Sequence, residues 1–470
     1  MTRIKFGTDG WRAIIAREFT VDNVARVAVA TAEWLKKSNL SQEVVVGYDC
    51  RFGGKMFAST VAAVLAHKGI KVYISDKEVT TPMVSLAVTR KGAGLGVIIT
   101  ASHNPPEYNG YKLKGAFGGP LLPKDVEQVE QMIPAEHGLN LGEIDLDAMR
   151  QKGVVETLDM ETMYCDHVAA SFDLDAIHKS GLTIAYDAMY GAGQDAVRRL
   201  LPNADLMHCE KNPSFYGTAP EPIHKNLKPF SEHIARSGKF AFGFATDGDA
   251  DRIGVYDASG RFVDSHHVIL LLIRYLYEVK GLKGKVCTAF STSVRINKLC
   301  KHFGLEHDVV KIGFKYICDV MLKDDVLLGG EESGGIAIKG HIPERDGIWI
   351  GLTLLEYMVK TGKTLEQLIN ELYDIVGAFA YERIDLHLTE KVKEDVIAQC
   401  KEGKISSFDS YAVQRMEDLD GFKFFVSDDE WLMIRPSGTE PVLRTYAESS
   451  SSEKALAILK AAHESLIPAE

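Results

Sequence analysis

One arrangement recurs along this chain of 470 residues: a short apolar or β-branched run, then a polar loop, then a helical segment. Residues 97–99 precede the loop 100–104, and residues 242–244 precede Asp247. Val24, Val27, Ala28, Thr31 and Leu35 share one face of an intervening helix. This repeat predicts mixed, largely parallel sheets that are covered by helices. Ligands are then expected beyond the carboxyl ends of the strands.

The length is about three times the ~150 residues that serve as a prior for one domain, which indicates three or four domains. We place boundaries after residues 150, 255 and 375. The predicted fold class is α/β, with three similar α/β mixed-sheet domains (1–150, 151–255 and 256–375) and a smaller C-terminal α+β domain (376–470). In the last domain, residues 381–388 alternate as a strand, and Ser452 begins a helix. Its inward positions are predicted to be Ala455, Leu456, Leu459 and Leu466.

The charge balance limits the possible partners. Lys and Arg total 54 against 65 Asp and Glu, a net charge of −11, which argues against general attraction to nucleic acid or to an anionic membrane. An anionic substrate must therefore be held by local groups. The seven cysteines are scattered without metal-ligand spacing, and the first ten residues lack the apolar core of a secretory signal. We expect a cytoplasmic protein with no nucleic-acid or membrane partner.

Three carboxylates stand at alternate positions in Asp247-Gly248-Asp249-Ala250-Asp251-Arg252, directly after an apolar strand. Carboxylates packed this closely repel one another, and a hard cation such as Mg²⁺ removes the conflict. An ordinary Asp-rich turn is the alternative, and it is about as common for a bare pattern of this kind. The flanking strand and Arg252 favour a metal beside a phosphate.

A second polar loop, Thr100-Ala101-Ser102-His103-Asn104-Pro105-Pro106, ends another buried strand. The Ser-His pair suggests a hydrolase only weakly, because adjacent side chains on an extended chain point apart and no G-x-S-x-G elbow is present. Taken alone, a polar turn stopped by two prolines is the favoured interpretation. The downstream residues 109–112 predict a tight turn that returns Lys112 to the same strand end.

A third loop, Gly329-Gly330-Glu331-Glu332-Ser333-Gly334-Gly335, carries two carboxylates and a hydroxyl between glycines. Such groups suit the hydroxyls of a sugar, although a flexible turn with solvated acids would look the same.

A fourth loop, Arg435-Pro436-Ser437-Gly438-Thr439-Glu440-Pro441, lies between two apolar segments, with Arg444 beyond it. Arginine, hydroxyls and an approachable glycine backbone are the parts of a phosphate cradle. A polar hairpin turn is the alternative.

Together with Phe6-Gly7-Thr8-Asp9-Gly10-Trp11-Arg12, these four loops in this order closely resemble the α-D-phosphohexomutase family of phosphoglucomutases and phosphomannomutases. The resemblance covers essentially the whole chain. It implies four domains around a central cleft, three of them α/β repeats and the last one smaller and unrelated.

The resemblance also implies roles for individual residues. Ser102 would carry the transferable phosphoryl group and bind Mg²⁺ together with Asp247, Asp249 and Asp251. The other catalytic residues would be Arg12, His103, Lys112, Arg252 and Lys315. The substrate-binding residues would be Glu331, Ser333, His341, Arg345, Arg435, Ser437, Gly438, Thr439 and Arg444.

The implied reaction begins when phosphorylated Ser102 transfers its phosphoryl group to the free hydroxyl of a hexose monophosphate. The cofactors would be Mg²⁺ and glucose 1,6-bisphosphate, as intermediate and activator. Placing a phosphoryl group of about −1.5 to −2 charge beside three carboxylates is unfavourable without a cation and an arginine, which agrees with this assignment.

The substrate assignment rests on one departure within the third loop. Many dual-specificity and glucosamine-type members have histidine at its end, where this chain has Gly335. The loop and the segment His341-Ile342-Pro343-Glu344-Arg345-Asp346-Gly347 look more like the glucose-preferring branch, so phosphoglucomutase is the expected activity. The alternatives are a phosphomannomutase or dual-specificity enzyme, or a phosphoglucosamine mutase, and then a Mg²⁺-dependent sugar-phosphate phosphatase or a sugar-phosphate sensor without catalysis.

Overall fold

The computed structural model describes residues 3–436 and 442–467. The chain forms two compact units, the first made of residues 1–284 and 313–367 and the second of residues 285–312 and 368–470. Within the described ranges, no helix is both long and apolar enough to cross a membrane.

The first unit begins with a mixed six-stranded sheet in the order β1-β5-β4-β2-β3-β6. Its strands are β1 (Trp11–Ile14), β2 (Glu43–Tyr48), β3 (Lys71–Ser75), β4 (Leu95–Ile99), β5 (Tyr108–Gly115) and β6 (Val155–Leu158). The helices are α1 (Val21–Lys37), α2 (Gly54–His67), α3 (Thr81–Lys91), α4 (Pro123–Gln131) and α5 (Leu146–Gln151). Strands β4, β2, β3 and β6 run parallel, whereas β5 is antiparallel to both β4 and β1.

A second mixed sheet of five strands has the order β11-β10-β9-β7-β8. It consists of β7 (Ile184–Asp187), β8 (Asp205–Met207), β9 (Phe242–Thr246), β10 (Ile253–Tyr256) and β11 (Phe262–Val263). Helices α6 (Met160–Ser171), α7 (Leu174–Lys179), α8 (Gln194–Leu200) and α9 (Lys228–Ser237) accompany it. Strand β9 is buried along its whole length and pairs antiparallel with β10, so residues 247–252 form the connection between two buried strands.

The remaining part of the first unit contains α10 (Ser265–Arg274), a π-helical segment (Tyr275–Val279), α12 (Phe314–Met321), β14 (Val326–Gly330), β15 (Ile336–Ile338) and α13 (Gly347–Thr361). Strands β14 and β15 pair antiparallel, and residues 331–335 connect them. Asp346 caps the N-terminus of helix α13, because its side chain accepts a hydrogen bond from the Trp349 backbone N–H.

The second unit contains the parallel pair β12 (Lys285–Ala289) and β13 (His307–Val310), with α11 (Arg295–Phe303) between them in the chain. It continues with α14 (Leu365–Val376), which starts within the first unit, and then with β16 (Ala380–His387), α15 (Glu390–Lys401), β17 (Ser407–Phe408), β18 (Tyr411–Ala412), β19 (Arg415–Glu417), β20 (Phe422–Phe425), β21 (Trp431–Pro436), β22 (Val442–Ser449) and α16 (Ser452–Leu466). Its antiparallel sheet has the order β16-β22-β21-β20-β19.

The predicted alternating strand and terminal helix of the C-terminal region correspond to β16 and α16. Ala455, Leu459 and Leu466 are buried in α16 as predicted, but Leu456 is 42% exposed. The prediction for Leu456 was wrong because Ile458 occupies the inward position beside Leu459. The predicted boundaries at 150, 255 and 375 stay predictions. Strand β6 lies beyond the first of them and pairs with β3.

Candidate functional site

Two polar loops, one from each of the first two sheets, meet in the first unit. Ser102 follows the buried strand β4, and Asp247 follows the buried strand β9. The Ser102 hydroxyl donates to Asp247 Oδ2 over 2.6 Å. Ser102 has φ of +53°, a left-handed conformation that non-glycine residues adopt at an energetic cost and that clusters at functional sites.

The three aspartates of the second loop form a compact set of oxygen ligands. Asp247, Asp249 and Asp251 are all buried, and one oxygen from each lies within 4.8 Å of the others. Among the described residues, Asp249 Oδ1 and Asp251 Oδ1 have no hydrogen-bond partner. Buried carboxylate oxygens are stabilised by pairing or by a metal, and Mg²⁺ prefers oxygen ligands. This donor set therefore fits Mg²⁺.

Lys112 binds two carboxylates of the same loop. Its Nζ lies 2.7 Å from Asp249 Oδ2, 3.0 Å from Asp251 Oδ2 and 2.9 Å from Asp9 Oδ2. Burial alone would lower the pKa of Lys112 and raise that of Asp249, but their mutual attraction outweighs burial. The pKa of Lys112 is thus raised and that of Asp249 lowered, so both groups stay charged.

Asp247 behaves differently from its two neighbours. Burial, followed by repulsion from Asp249 and Asp251, raises its pKa well above the ordinary value. Added negative charge at Ser102 would increase this repulsion, so a phosphorylated Ser102 needs cations close by.

Positively charged side chains lie around the Ser102 loop. Arg12 Nη1 donates to Asn104 Oδ1 over 2.7 Å. The His103 Nδ1 atom lies 3.3 Å from Ser102 Oγ. Burial, then repulsion from Arg252 and Arg12, lowers the pKa of His103 well below its ordinary value. A neutral imidazole beside the hydroxyl is able to accept a proton, while the arginines attract an anion.

The connection between β14 and β15 contains a buried carboxylate. Glu331 is buried, and its Oε1 accepts a hydrogen bond from the Gly313 backbone N–H over 2.9 Å. Burial, opposed by Arg345, raises the pKa of Glu331 to about 7. Ser333, in the same connection, is half-buried.

Comparisons with known proteins match nearly the whole chain. Residues 3–138, 162–260 and 264–376 match the phosphoglucomutase/phosphomannomutase alpha/beta/alpha domains I, II and III, and residues 391–464 match the C-terminal domain of the same proteins. The crystal structure of a putative phosphomannomutase from Thermus thermophilus is 33% identical, with a TM-score of 0.86 over 98% of this chain and 99% of that one. The chain belongs to the α-D-phosphohexomutase family.

Relatives of this phosphohexomutase carry different substrate names. A phosphoglucomutase/phosphomannomutase of Thermococcus kodakarensis is 29% identical over 96% of this chain and 95% of its own length. A probable phosphoglucosamine mutase of Pyrococcus furiosus is also 29% identical, over 97% of this chain and 96% of its own length. The family and the fold class, three α/β domains followed by a C-terminal domain, are therefore confirmed, whereas the sugar is not fixed by these relatives.

The structure brings most of the expected catalytic residues of the phosphohexomutase together. The cluster contains Ser102, His103, Lys112, Arg12, Arg252, Asp247, Asp249 and Asp251. Lys315 reaches it indirectly: it lines a cavity of about 270 Å³ together with Asp9, and Asp9 binds Lys112.

Two expected substrate-binding residues lie in buried networks. His341 Nδ1 lies 3.2 Å from His167 Nε2, its Nε2 lies 3.0 Å from Asp346 Oδ2, and its ring stacks on Trp349 at 3.8 Å. Both ring nitrogens of His341 therefore have partners within this network, and its role as a sugar ligand stays a prediction. Arg345 is likewise occupied, by ion pairs with Asp9 and Asp251.

The expected phosphate clamp belongs to the second unit. Arg435 Nε lies 3.2 Å from Asp420 Oδ1, and Arg444 Nε lies 3.9 Å from Asp385 Oδ2. Ser437, Gly438 and Thr439 lie outside the described residues. The clamp stays a prediction.

Two details of local structure differ from expectation. Residues 109–112 belong to strand β5 and form no tight turn; Lys112 returns to the site because it pairs with Ile98 of β4. The side chains of Ser102 and His103 do approach each other, because the left-handed Ser102 backbone interrupts the extended chain.

Residue-level reasoning missed the groups that support the Ser102 loop. The buried Arg51 guanidinium donates to the backbone carbonyls of Ser102 and Asn104, and Asp49 accepts a hydrogen bond from the Thr100 hydroxyl. Asp9, which binds Lys112, was also missed as a site residue. Asp49 directly follows strand β2, and Asp9 lies in the N-terminal motif, so polar residues at strand ends were the available signal.

Proposed function

We propose that this phosphohexomutase interconverts α-D-glucose 1-phosphate and glucose 6-phosphate through a phosphorylated Ser102 and a bound glucose 1,6-bisphosphate. The observation that carries the proposal is the 2.6 Å contact between Ser102 Oγ and Asp247, inside a cluster of three carboxylates and several cations. A hydroxyl in that setting has both a charge-neutralising environment and a defined position. Phosphoryl transfer depends mainly on these two conditions.

In the proposed cycle, a free sugar hydroxyl attacks the phosphorus on Ser102, and the bond between Ser102 Oγ and phosphorus breaks. His103, kept neutral by burial and by the nearby arginines, accepts the hydroxyl proton and passes it to the released Ser102 oxygen, which lies 3.3 Å from its Nδ1. Arg12 and Arg252 attract the transferring group. After the bisphosphate reorients, its other phosphoryl group returns to Ser102 and the product is released.

Asp247, Asp249 and Asp251, together with the phosphorylated Ser102, would hold Mg²⁺. The ion supplies charge neutralisation and polarisation of the phosphoryl oxygens when bound. Lys112 orients Asp249 and Asp251 through their Oδ2 atoms and leaves their Oδ1 atoms available.

The preference for glucose is supported by the connection between β14 and β15. Glu331 and Ser333 are the proposed contacts to the sugar hydroxyls, and Gly335 adds no side chain to the loop. The second candidate, phosphoglucosamine mutase, is favoured by the name of the Pyrococcus furiosus relative. Phosphomannomutase is favoured by the name of the Thermus thermophilus protein.

The test compares kcat/KM for glucose 1-phosphate, mannose 1-phosphate and glucosamine 1-phosphate with Mg²⁺ and catalytic glucose 1,6-bisphosphate. We expect glucose 1-phosphate to react fastest. A higher kcat/KM for either other sugar refutes the glucose preference, and release of inorganic phosphate without isomerisation would indicate a phosphatase. Intact-mass analysis should detect a phosphorylated fraction that Ser102→Ala lacks; a fully active Ser102→Ala would refute the mechanism.

A further inference from the structure

Arg345 connects the metal loop with the loop that is expected to recognise the sugar. Its Nη2 lies 2.7 Å from Asp251 Oδ2 and 2.6 Å from Asp9 Oδ2. Its Nη1 lies 4.0 Å from Glu331 Oε2, at the start of the β14–β15 connection. One guanidinium thus pairs with a proposed metal ligand, Asp251, and also faces the carboxylate of a proposed sugar ligand, Glu331.

The path of the Arg345 side chain passes over Gly335. A Cβ atom at position 335 would lie 2.5 Å from Arg345 Cδ and 3.2 Å from its Cγ, and contacts below 3.0 Å require one group to move. Gly335 does not have the left-handed backbone that itself requires glycine, since it is absent from the positive-φ glycines. Glycine at this position is therefore explained by space for Arg345.

Arg345 has little freedom to give way. Its side chain is 4% exposed, and its guanidinium lies over the Phe314 ring at 5.3 Å. The atoms nearest to position 335 belong to the middle of the side chain, whose far end is fixed by Asp9 and Asp251. A methyl group at position 335 would shift the guanidinium away from these carboxylates.

We propose that Arg345 is a positioning residue that couples Asp251 of the metal loop to Glu331 of the sugar loop, and that Gly335 keeps the space this coupling needs. Positions 335 and 345 then act as one unit. The part that concerns the sugar rests on the proposed function, whereas the part that concerns the metal loop does not need the identity of the sugar. Arg345 itself is no sugar ligand in this assignment.

The primary test measures Mg²⁺ binding to the free protein by titration calorimetry. Groups that orient a metal ligand typically change metal affinity by about 10- to 100-fold when they are lost. We expect Gly335→Ala to raise the Kd for Mg²⁺ about tenfold, although position 335 is not a metal ligand. A rise of less than threefold would overturn the proposal. The matched control is Gly142→Ala, because a Cβ at Gly142 meets its nearest neighbour at an ordinary 3.6 Å; its Kd should match that of the wild type.

A double-mutant cycle tests whether the two positions act together. Arg345→Ala removes Cγ and Cδ, so adding Gly335→Ala to it should change the Kd by less than twofold. A further threefold rise would show that Gly335 acts independently and would overturn the pairing. Arg345→Ala leaves Asp9 and Asp251 bound to Lys112, and Glu344 bound to Lys114, so these three carboxylates keep a cation and Glu331 alone loses the one that faces it. If this variant fails to fold, the Gly335→Ala titration alone decides.

Steady-state kinetics extend the test to the sugar. Gly335→Ala should also raise KM for glucose 1-phosphate severalfold, because Glu331 loses the cation that faces it. An unchanged KM with weakened Mg²⁺ binding overturns the link to Glu331. Inactivity of the wild type on every hexose phosphate would instead refute the proposed function and leave the calorimetric result valid.

Discussion

Arg51→Lys tests whether the buried Arg51 guanidinium keeps the Ser102 loop in a reactive geometry. Arg51 Nη2 donates to the carbonyls of Ser102 and Asn104 over 2.7 and 2.6 Å, and its Nη1 donates to those of Pro105 and Tyr108 over 2.8 and 3.0 Å. A lysine keeps the charge but concentrates its donors at a single nitrogen. The substitution therefore changes the geometry of donation while conserving charge.

The expected cost follows from the carbonyls that are left without a donor. If the ammonium serves the carbonyls of Ser102 and Asn104, the part-buried carbonyls of Pro105 and Tyr108 lose the Arg51 donor. The Pro105 carbonyl still accepts from the Tyr108 backbone N–H, so the cost is that of about one carbonyl, or about 1–3 kcal/mol. The melting temperature should fall by a few degrees, on the order of 2–5 °C. A displacement of the nucleophile by about 1 Å costs about 10²-fold in rate, so kcat should fall by about that factor. KM should change little, because Arg51 donates to backbone groups of the loop.

The assay couples glucose 6-phosphate formation to a dehydrogenase and is paired with thermal unfolding. Arg150→Lys is the control, because Arg150 is 41% exposed and pairs with Asp147 on the surface of α5; its kcat and melting temperature should match those of the wild type. Wild-type kcat and melting temperature in Arg51→Lys would refute the role of the guanidinium. A raised KM with unchanged kcat would place Arg51 in substrate binding instead.

Asp249→Asn removes one ligand charge, so activity should fall at least about 10²-fold; full activity in this variant, or in excess chelator, would contradict the metal assignment. Glu331 has a pKa of about 7, so kcat/KM for glucose 1-phosphate should rise as pH increases through about 7, and Glu331→Gln should lack this rise. Because burial raises this pKa above its ordinary 4.5, the free energy of unfolding of the wild type should fall as the pH rises from about 4.5 to 7. The fall should be smaller in Glu331→Gln. Arg435→Ala should raise KM about 10- to 100-fold and increase the release of free bisphosphate. The free energy of unfolding should change by less than about 1 kcal/mol, because the ion pair of Arg435 with Asp420 is partly exposed. An unchanged KM would show that the loop has a structural role alone.

The periodic pattern predicted the strands, and the polar loops predicted functional residues at the ends of those strands. Ser102 and the Asp247 loop do lie at the ends of buried strands, as the pattern indicates. The contact between these two loops, however, depends on how two separate sheets pack against each other. A Cβ at Gly248 would lie 2.5 Å from the Ser102 carbonyl oxygen, so the loops pack backbone against backbone. Periodicity within each sheet carries no information on that packing, and the family resemblance supplied it.

The charge pairs that organise the site had no local signal. Asp9 and Arg345 are 336 positions apart, and Lys112 reaches Asp249 across 137 positions. Ion pairs of this kind follow from tertiary packing rather than from spacing, so the sequence does not predict the partners of Arg345. The stacking of His341 on Trp349 is equally absent from the local pattern, because His341 lies in a polar stretch of sequence. The substrate-binding roles of Arg345 and His341 stay predictions.

Two cations of the site hold carboxylates of the Asp247–Asp251 loop without occupying all of their oxygens. Lys112 and Arg345 bind Asp249 or Asp251 through the Oδ2 atoms and leave both Oδ1 atoms without a partner among the described residues. Asp247 Oδ2 instead accepts a hydrogen bond from the Ser102 hydroxyl. A phosphorylated Ser102 would have no such proton to donate, so this contact would turn from attractive to repulsive without the charge neutralisation that a cation held by the three aspartates would supply. The hydroxyl form of Ser102 is therefore stabilised by its own hydrogen bond, and we expect a phosphorylated form to depend on a cation.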